Sequence, residues 1–292
     1  IRDRRSASQT ILEQLEQYIQ KASYANLLDA LVLEKEALVY DELGYSDIAL
    51  QKFHQLFVHD NGNFSVEALE RYCTIKVYQM RKENVKETLQ EIDMLALVGK
   101  NPNRLNIIGN AYKFASIFVA AKTQKMAYLE KALEKYTSSL MASEDRFDGG
   151  YLDAITNIIF IGHILELRGQ GTLLQRLESI GILSNGKDPI SYLSEFYHEL
   201  EAYDMSDTDI SVQIGMTETK YGLMLLKDGF DPSENIDLKK RYKNIFDLMY
   251  SPRYIKIEIH QINFLLEYIT NKTIIQQLQA IKKEVKKLKD EN

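Results

Sequence analysis

The stretch ALVYDELGYSDIALQKF, residues 37–53, decides the fold. Its small and apolar residues recur at helical spacing on both sides of Gly44, so it reads as two helices joined by a tight turn. Ala37 lets the second helix come close, Tyr40 fills the gap between the helices, and Gly44 makes the turn. Ala49 and Phe53 answer from the second helix, small against large, as close packing demands.

Working outward, the same logic gives a series of helical hairpins. A first helix is expected at about Ser8 to Ala22, then Tyr24 to Leu43 and Ser46 to Val58 as the hairpin just described. The next pair, about Ser65 to Arg81 and Val85 to Val98, is degenerate: Thr88 stands where Ala49 stands in the first. Its spacing is longer than the ~34 residues of a tetratricopeptide repeat, the family of helix pairs that these positions resemble. In the third unit Ile108, Gly109 and Tyr112 restore the pattern, Gly109 for close approach and Tyr112 for the gap. Ala132 and Tyr136 answer after an insertion that includes Ala120 to Lys125. A fourth pair is expected at Tyr151 to Leu167 and Thr172 to Ile180. Beyond the turn at Asn185 to Pro189 the repeat fades, but helices continue at about Ile190 to Tyr203, Asp209 to Leu226, Ile236 to Tyr250, Tyr254 to Ile269 and Thr273 to Lys289. The expected division is residues 1–185 as a solenoid and 186–292 as a helical extension with a C-terminal capping helix.

Composition fits this all-α reading. The 292 residues are 45% hydrophobic, enough for a core, and only 4 Pro and 14 Gly interrupt them. A net charge of -6 argues against general nucleic-acid binding, which needs a basic stripe to displace counterions. Cys73 is the single cysteine, so no internal disulfide forms and a reducing, cytoplasmic setting is expected. No apolar stretch was expected to be long enough for a membrane span, and Ala154 to Leu167, which contains His163 and Glu166, reads as a buried helix. No secretory signal is evident. A start at Ile-Arg-Asp rather than Met reads as a piece of a longer chain.

Residues 103–115, NRLNIIGNAYKFA, carry a more specific likeness. They resemble the divergent tetratricopeptide domain, also called TRAF-associated, of the apoptosis signal-regulating kinases and many bacterial regulatory proteins. Gly109, Ala111, Tyr112 and Lys113 match its first-helix motif, and Ala132 and Tyr136 match the helix after its long spacer. The run at residues 151–157, YLDAITN, departs from the family pattern by lacking its Gly. The resemblance spans about Ser46 to Leu167. It implies a right-handed α-solenoid that senses or docks, linked to an effector such as a CHAT protease, a cyclase, a TIR domain or a kinase.

Catalytic motifs are weak. His198-Glu199 begins like a zinc-protease helix, but Ala202 stands where the second ligand is required. His54, His59, His163, His198 and His260 form no i, i+4 pair, and Cys73 reads as a core residue. Arg168 to Gly171 lacks the strand and third glycine of a phosphate loop and reads as a helix end and turn. The acids Glu199, Glu201, Asp204, Asp207 and Asp209 lack calcium-loop spacing. No metal, cofactor or catalytic residue is therefore assigned.

The remaining candidate is the inner surface of the array, where first helices of each hairpin present side chains to a partner. Counting from Gly109 and Tyr112 places Asn103, Asn106, Asn110 and Lys113 there, a polar ladder suited to a peptide backbone or carboxylate. The same count on the first unit gives Glu34, Leu38, Asp41 and Glu42. Ile274, Leu278, Ile281, Val285 and Leu288 form an a/d seam in the tail, read as a cap packed on Ile257, Phe264, Leu265 and Tyr268. A non-catalytic protein- or peptide-binding regulator is the reading that follows. A stand-alone sensor of peptides or small molecules, and a helical enzyme with a site near Tyr192, Tyr197 and Tyr221, are the alternatives.

Overall fold

The computed structural model describes residues 13, 17, 30–59, 64–183, 186–204, 209–229, 232–249 and 252–290. Among these residues all regular structure is helical: α1 (Ala30–Glu42), α2 (Ser46–His59), α3 (Val66–Tyr78), α4 (Val85–Asp93), α5 (Pro102–Phe118), α6 (Lys122–Ala142), α7 (Gly149–Leu167), α8 (Leu173–Ser179), α9 (Pro189–Tyr203), α10 (Ile210–Leu226), α11 (Pro232–Met249), α12 (Pro252–Tyr268) and α13 (Lys272–Asp290). A short 3-10 turn, Met94–Val98, follows α4. The helix expected at Ser8 to Ala22 lies outside the described residues, apart from Glu13 and Gln17.

Local chemistry starts these helices. Ser65, Asn101, Asp148, Asp188 and Asp209 each accept a hydrogen bond from a backbone N–H in the first turn of the helix that follows. Pro102 and Pro189 stand where a missing N–H costs nothing. Thr172 and Gln175 form a reciprocal capping box at α8. The insertion expected at Ala120 to Lys125 becomes the linker to α6 and that helix's first turn.

Packing follows the small-against-large pattern. Ala37, Ala49 and Phe53 are completely buried between α1 and α2. Gly44 turns the chain at φ +77°, and a Cβ there would lie 3.1 Å from Cβ of Pro252. At Gly109 a Cβ would lie 3.0–3.1 Å from three ring atoms of Tyr136, so it is Tyr136 of α6 that comes down onto this glycine. Tyr112 instead reaches sideways, donating to the Asp93 carboxylate at 3.0 Å.

Helices α1, α3, α5 and α7 pack in sequence, each on the next, and α7 then packs on α10. One apolar core runs from Cys73 to Val285 and is continuous across the division expected near Asn185; a smaller one joins α1, α2 and α3. By length and composition α7 is sufficient for a membrane span, which the shorter apolar stretch read from the sequence was not, yet most of it is buried inside the protein. Its interior face carries Ile155, Ile158, Ile161 and Ile164, all fully buried.

The last two helices position the site. The seam residues Ile274, Leu278, Ile281 and Val285 of α13 are buried, with α13 packed on both α11 and α12. The stripe on α12 expected to receive them is engaged largely elsewhere. Phe264 meets Phe114 of α5 edge-on, Tyr268 donates to Ser116 Oγ at 2.7 Å, and Ile257 lines open clefts toward α3. Thus α12 lies across the row of α1, α3 and α5.

Candidate binding clefts

Helix α12 is pinned along its length, to that row at its start and middle and to α6 and the end of α7 at its C-terminal end. At its start Arg253 Nε lies 3.1 Å from Asp41 and Arg253 Nη1 lies 3.3 Å from Glu42, while Lys256 reaches the Gly44 carbonyl and Ser46. In its middle His260 packs between Tyr78 and Phe114, and Gln261 accepts from Lys113 at 2.8 Å. At its end Glu267 pairs with Lys125 at 2.7 Å, and the Tyr268 carbonyl accepts from Arg168.

The residues expected on an open inner face fall into two groups because of this crossing. Four are buried and bonded within the chain. Glu34 accepts from both the backbone N–H and the hydroxyl of Ser65, tying α1 to the start of α3. Asp41 lies between Arg253 and Arg71. Asn106 donates through Nδ2 to the Gly150 carbonyl at 2.8 Å. Lys113 is 2% exposed, donates to Asn157 and Gln261, and sits 4.7 Å from the centre of the Phe114 ring. Leu38 packs on the small core, and Glu42, half exposed, pairs with Arg71 and Arg253. Asn103 is exposed, Asn110 is half-buried and accepts from the Tyr136 hydroxyl at 2.9 Å, and with Asn106 they line a real cleft.

Two clefts flank α12, sharing Thr74, Tyr78, Arg253 and Ile257 as their common wall. One, of about 620 Å³, opens between the first hairpin and α12 and contains Asp47, Lys256 and His260. The other, of about 680 Å³, is bounded by α3, α5, α7, α10 and α12. Its walls carry the three asparagines together with Asp153, Glu218 and Glu258.

Those three carboxylates escaped the sequence reading, although a signal was present. Glu258 falls on the apolar face of α12, in register with Ile255, Ile262 and Leu265, where an acid costs stability unless it has a purpose or a partner. Glu218 lies within the equally apolar α10. Burial pushes Glu258 up to about 7 and Glu218 well above the usual carboxylate range, the latter also repelled by Asp153 and Glu258. Asp153, partly exposed to the cleft, is raised by desolvation against the pull of Lys113. Lys113 is itself lowered to about 8, because desolvation outweighs the three acids. Glu218 accepts from Thr156 at 2.7 Å and Glu258 from Tyr242 at 2.8 Å.

The other features single out no chemistry. Cys73 is buried and its thiol is pushed up to about 12 by desolvation, too high to be a nucleophile. Among the described residues no three His, Cys, Asp or Glu side chains converge as metal ligands would. Of the acidic cluster, Glu199 pairs with Arg146, Glu201 with Arg241, and Asp204 accepts from Asp209 N and Gln213; Asp207 lies outside the described residues. Tyr221 is bonded to Tyr242, Tyr192 stacks on Phe196, and Tyr197 lies under Lys220 and Arg241, so these rings are packing partners. No family model, curated protein or solved structure matches this chain.

Proposed function

We propose that this protein is a non-catalytic regulatory module that binds a protein or peptide. It is read as a right-handed α-solenoid of tetratricopeptide-like hairpins, of the TRAF-associated kind, whose inner helices hold a partner segment. The observation that carries this reading is α12. A helix from the chain's own C-terminal part lies across α1, α3 and α5, held by ion pairs at both ends and an aromatic contact in the middle. A face that accepts one helix in this way has the shape and polar anchors to accept another segment beside or in place of it. Occupancy of the clefts would bias how α12 sits, and that bias would be passed to an attached or associated effector such as a protease, cyclase, TIR domain or kinase.

A selection of displayed peptides against the immobilised chain tests this. Selected peptides should bind saturably in calorimetry and lose at least tenfold in affinity when Asn103, the exposed asparagine of the larger cleft, is replaced by Ala. Failure to select any saturable binder, or binding indifferent to both clefts, overturns it. A second reading, a sensor of small molecules, is favoured by the size of the larger cleft, about 680 Å³, and by the asparagines and carboxyls on its walls.

A further inference from the structure

The larger cleft is chemically one-sided. Asp153, Glu218 and Glu258 line it from three different helices, and among the described residues none of them forms an ion pair. The two arginines on the same wall do not neutralise them, because Arg71 and Arg253 are both paired with Asp41 and Glu42. Lys113 offsets part of this charge from within the protein, but its ammonium is bonded to Asn157 and Gln261 and forms no direct ion pair with an acid, so one cation stands against three carboxyls.

A second observation is independent of the acids. Asn106 is only 4% exposed, and its Nδ2 is committed to the Gly150 carbonyl, which fixes the amide's orientation. Its Oδ1 then has no donor within the protein, although it belongs to a residue lining this cleft. A buried acceptor left unmet has lost its water without replacement, so the site is built for an incoming donor. Asn106 Oδ1 and the three acids therefore ask for the same thing: N–H donors and positive charge.

We infer that this cleft binds the ammonium or guanidinium group of a ligand, with Asn106 Oδ1 as a hydrogen-bond acceptor and Glu218 and Glu258 as counter-charges. The acids are spread over α7, α10 and α12 and do not converge as metal ligands would, which suits an extended organic cation rather than a point ion. Ile214 and Ile257 on the walls cover the aliphatic stem that such a group carries. This inference rests on the binding-module reading and gives it a ligand class: a basic side chain of a peptide, or a free alkyl amine of the same chemistry.

Calorimetry on the full chain with four probes tests it: arginine amide, citrulline amide, which keeps the α-amine but replaces the guanidinium by a neutral urea, and the blocked pentapeptides Gly-Gly-Arg-Gly-Gly and Gly-Gly-citrulline-Gly-Gly. One-site binding of an arginine probe, at least tenfold tighter than its citrulline counterpart, supports the inference. A tighter pentapeptide assigns the source as a peptide side chain, and a tighter arginine amide assigns it as a free amine. Glu218→Gln, which keeps the acceptor for Thr156, and Glu258→Gln should each weaken binding at least tenfold, while Asp47→Asn in the other cleft should not. Equal affinity for arginine and citrulline probes, binding unchanged in both Gln variants, or no binding of any arginine probe overturns it. If displayed peptides without basic residues bind the clefts nonetheless, the cation inference fails while the binding-module reading stands.

Discussion

Replacing Lys113 by Met removes the one buried cation facing Asp153, Glu218 and Glu258 while nearly preserving volume. At pH 7.5 Glu258, at about 7, is mostly ionised and Lys113, at about 8, is mostly charged. The variant then strands a buried carboxylate and leaves Asn157 Oδ1 and Gln261 Oε1 without their common donor. Removing one member of a buried direct ion pair costs about 3–5 kcal/mol, and the cost here should be smaller, because Lys113 is bonded to two neutral amides and burial already disfavours its charge. At pH 5 Glu258 and Glu218 hold their protons, so the cation has less to pair with and its loss matters less. The wild-type protein should itself lose stability as pH rises. The folded-state value of Glu258 lies above its usual 4.5, so the folded form keeps a proton that the unfolded chain has released. That contribution is fully present below pH 4.5 and is lost by about pH 7; at about 1.4 kcal/mol per pH unit it amounts to about 3 kcal/mol. Without Lys113 the carboxyls are held still higher, and the decline steepens. Urea unfolding followed by circular dichroism at pH 5 and 7.5 reads both effects. A loss that is the same at the two pH values, or no loss at pH 7.5, would refute the coupling of Lys113 to these acids.

Three further outcomes are expected. Gly109→Leu forces a branched side chain into the ring of Tyr136 and should cost about 1–3 kcal/mol in urea unfolding; an unchanged midpoint means that α6 can move away from α5 freely. Deleting Thr273 to Asn292 uncovers the faces of α11 and α12 on which four seam residues are buried, each worth about 1.5–3 kcal/mol, so the truncated chain should unfold far earlier or aggregate, and equal stability in a monomer would contradict this packing. The pair Arg253→Ala and Lys256→Ala releases the start of α12 from the first hairpin and should raise hydrogen exchange in α12 several-fold while leaving α5 to α7 protected; uniform exchange across both regions would mean that α12 opens only with the whole protein.

What was legible in the sequence was local. Helices were readable because their apolar spacing, caps and breakers act within a few residues: Ser65 bonds Ala68, Asp188 bonds Ser191, and Gly44 turns the chain between two helices it touches. The small and large positions were also readable, because neighbouring helices in a hairpin meet at fixed offsets: Ala37, Ala49 and Phe53 are buried, and Gly109 is a point of close approach, although the ring that meets it is Tyr136 rather than Tyr112. The inner-face residues on α5 were placed on a shared face by the same count, and Asn103, Asn106 and Asn110 do line one cleft.

The occupant of that face was a different matter. Lys113 meets Gln261, Ser116 meets Tyr268 and Asp41 meets Arg253, pairs separated by well over a hundred residues, and no spacing rule links them. The stripe Ile257, Phe264 and Tyr268 announced that α12 had something to cover, yet the pattern is equally satisfied by α13 or by α5. Glu258 likewise announced itself as an acid on an apolar face, but the companions that give it a chemistry, Asp153 and Glu218, come from other helices. Sequence by itself determined the helices and their hairpins, because hydrogen bonding and side-chain periodicity are local. Only the tertiary structure decided that α12 crosses α1, α3 and α5 and that three acids share one cleft, because burial is settled by which surfaces meet.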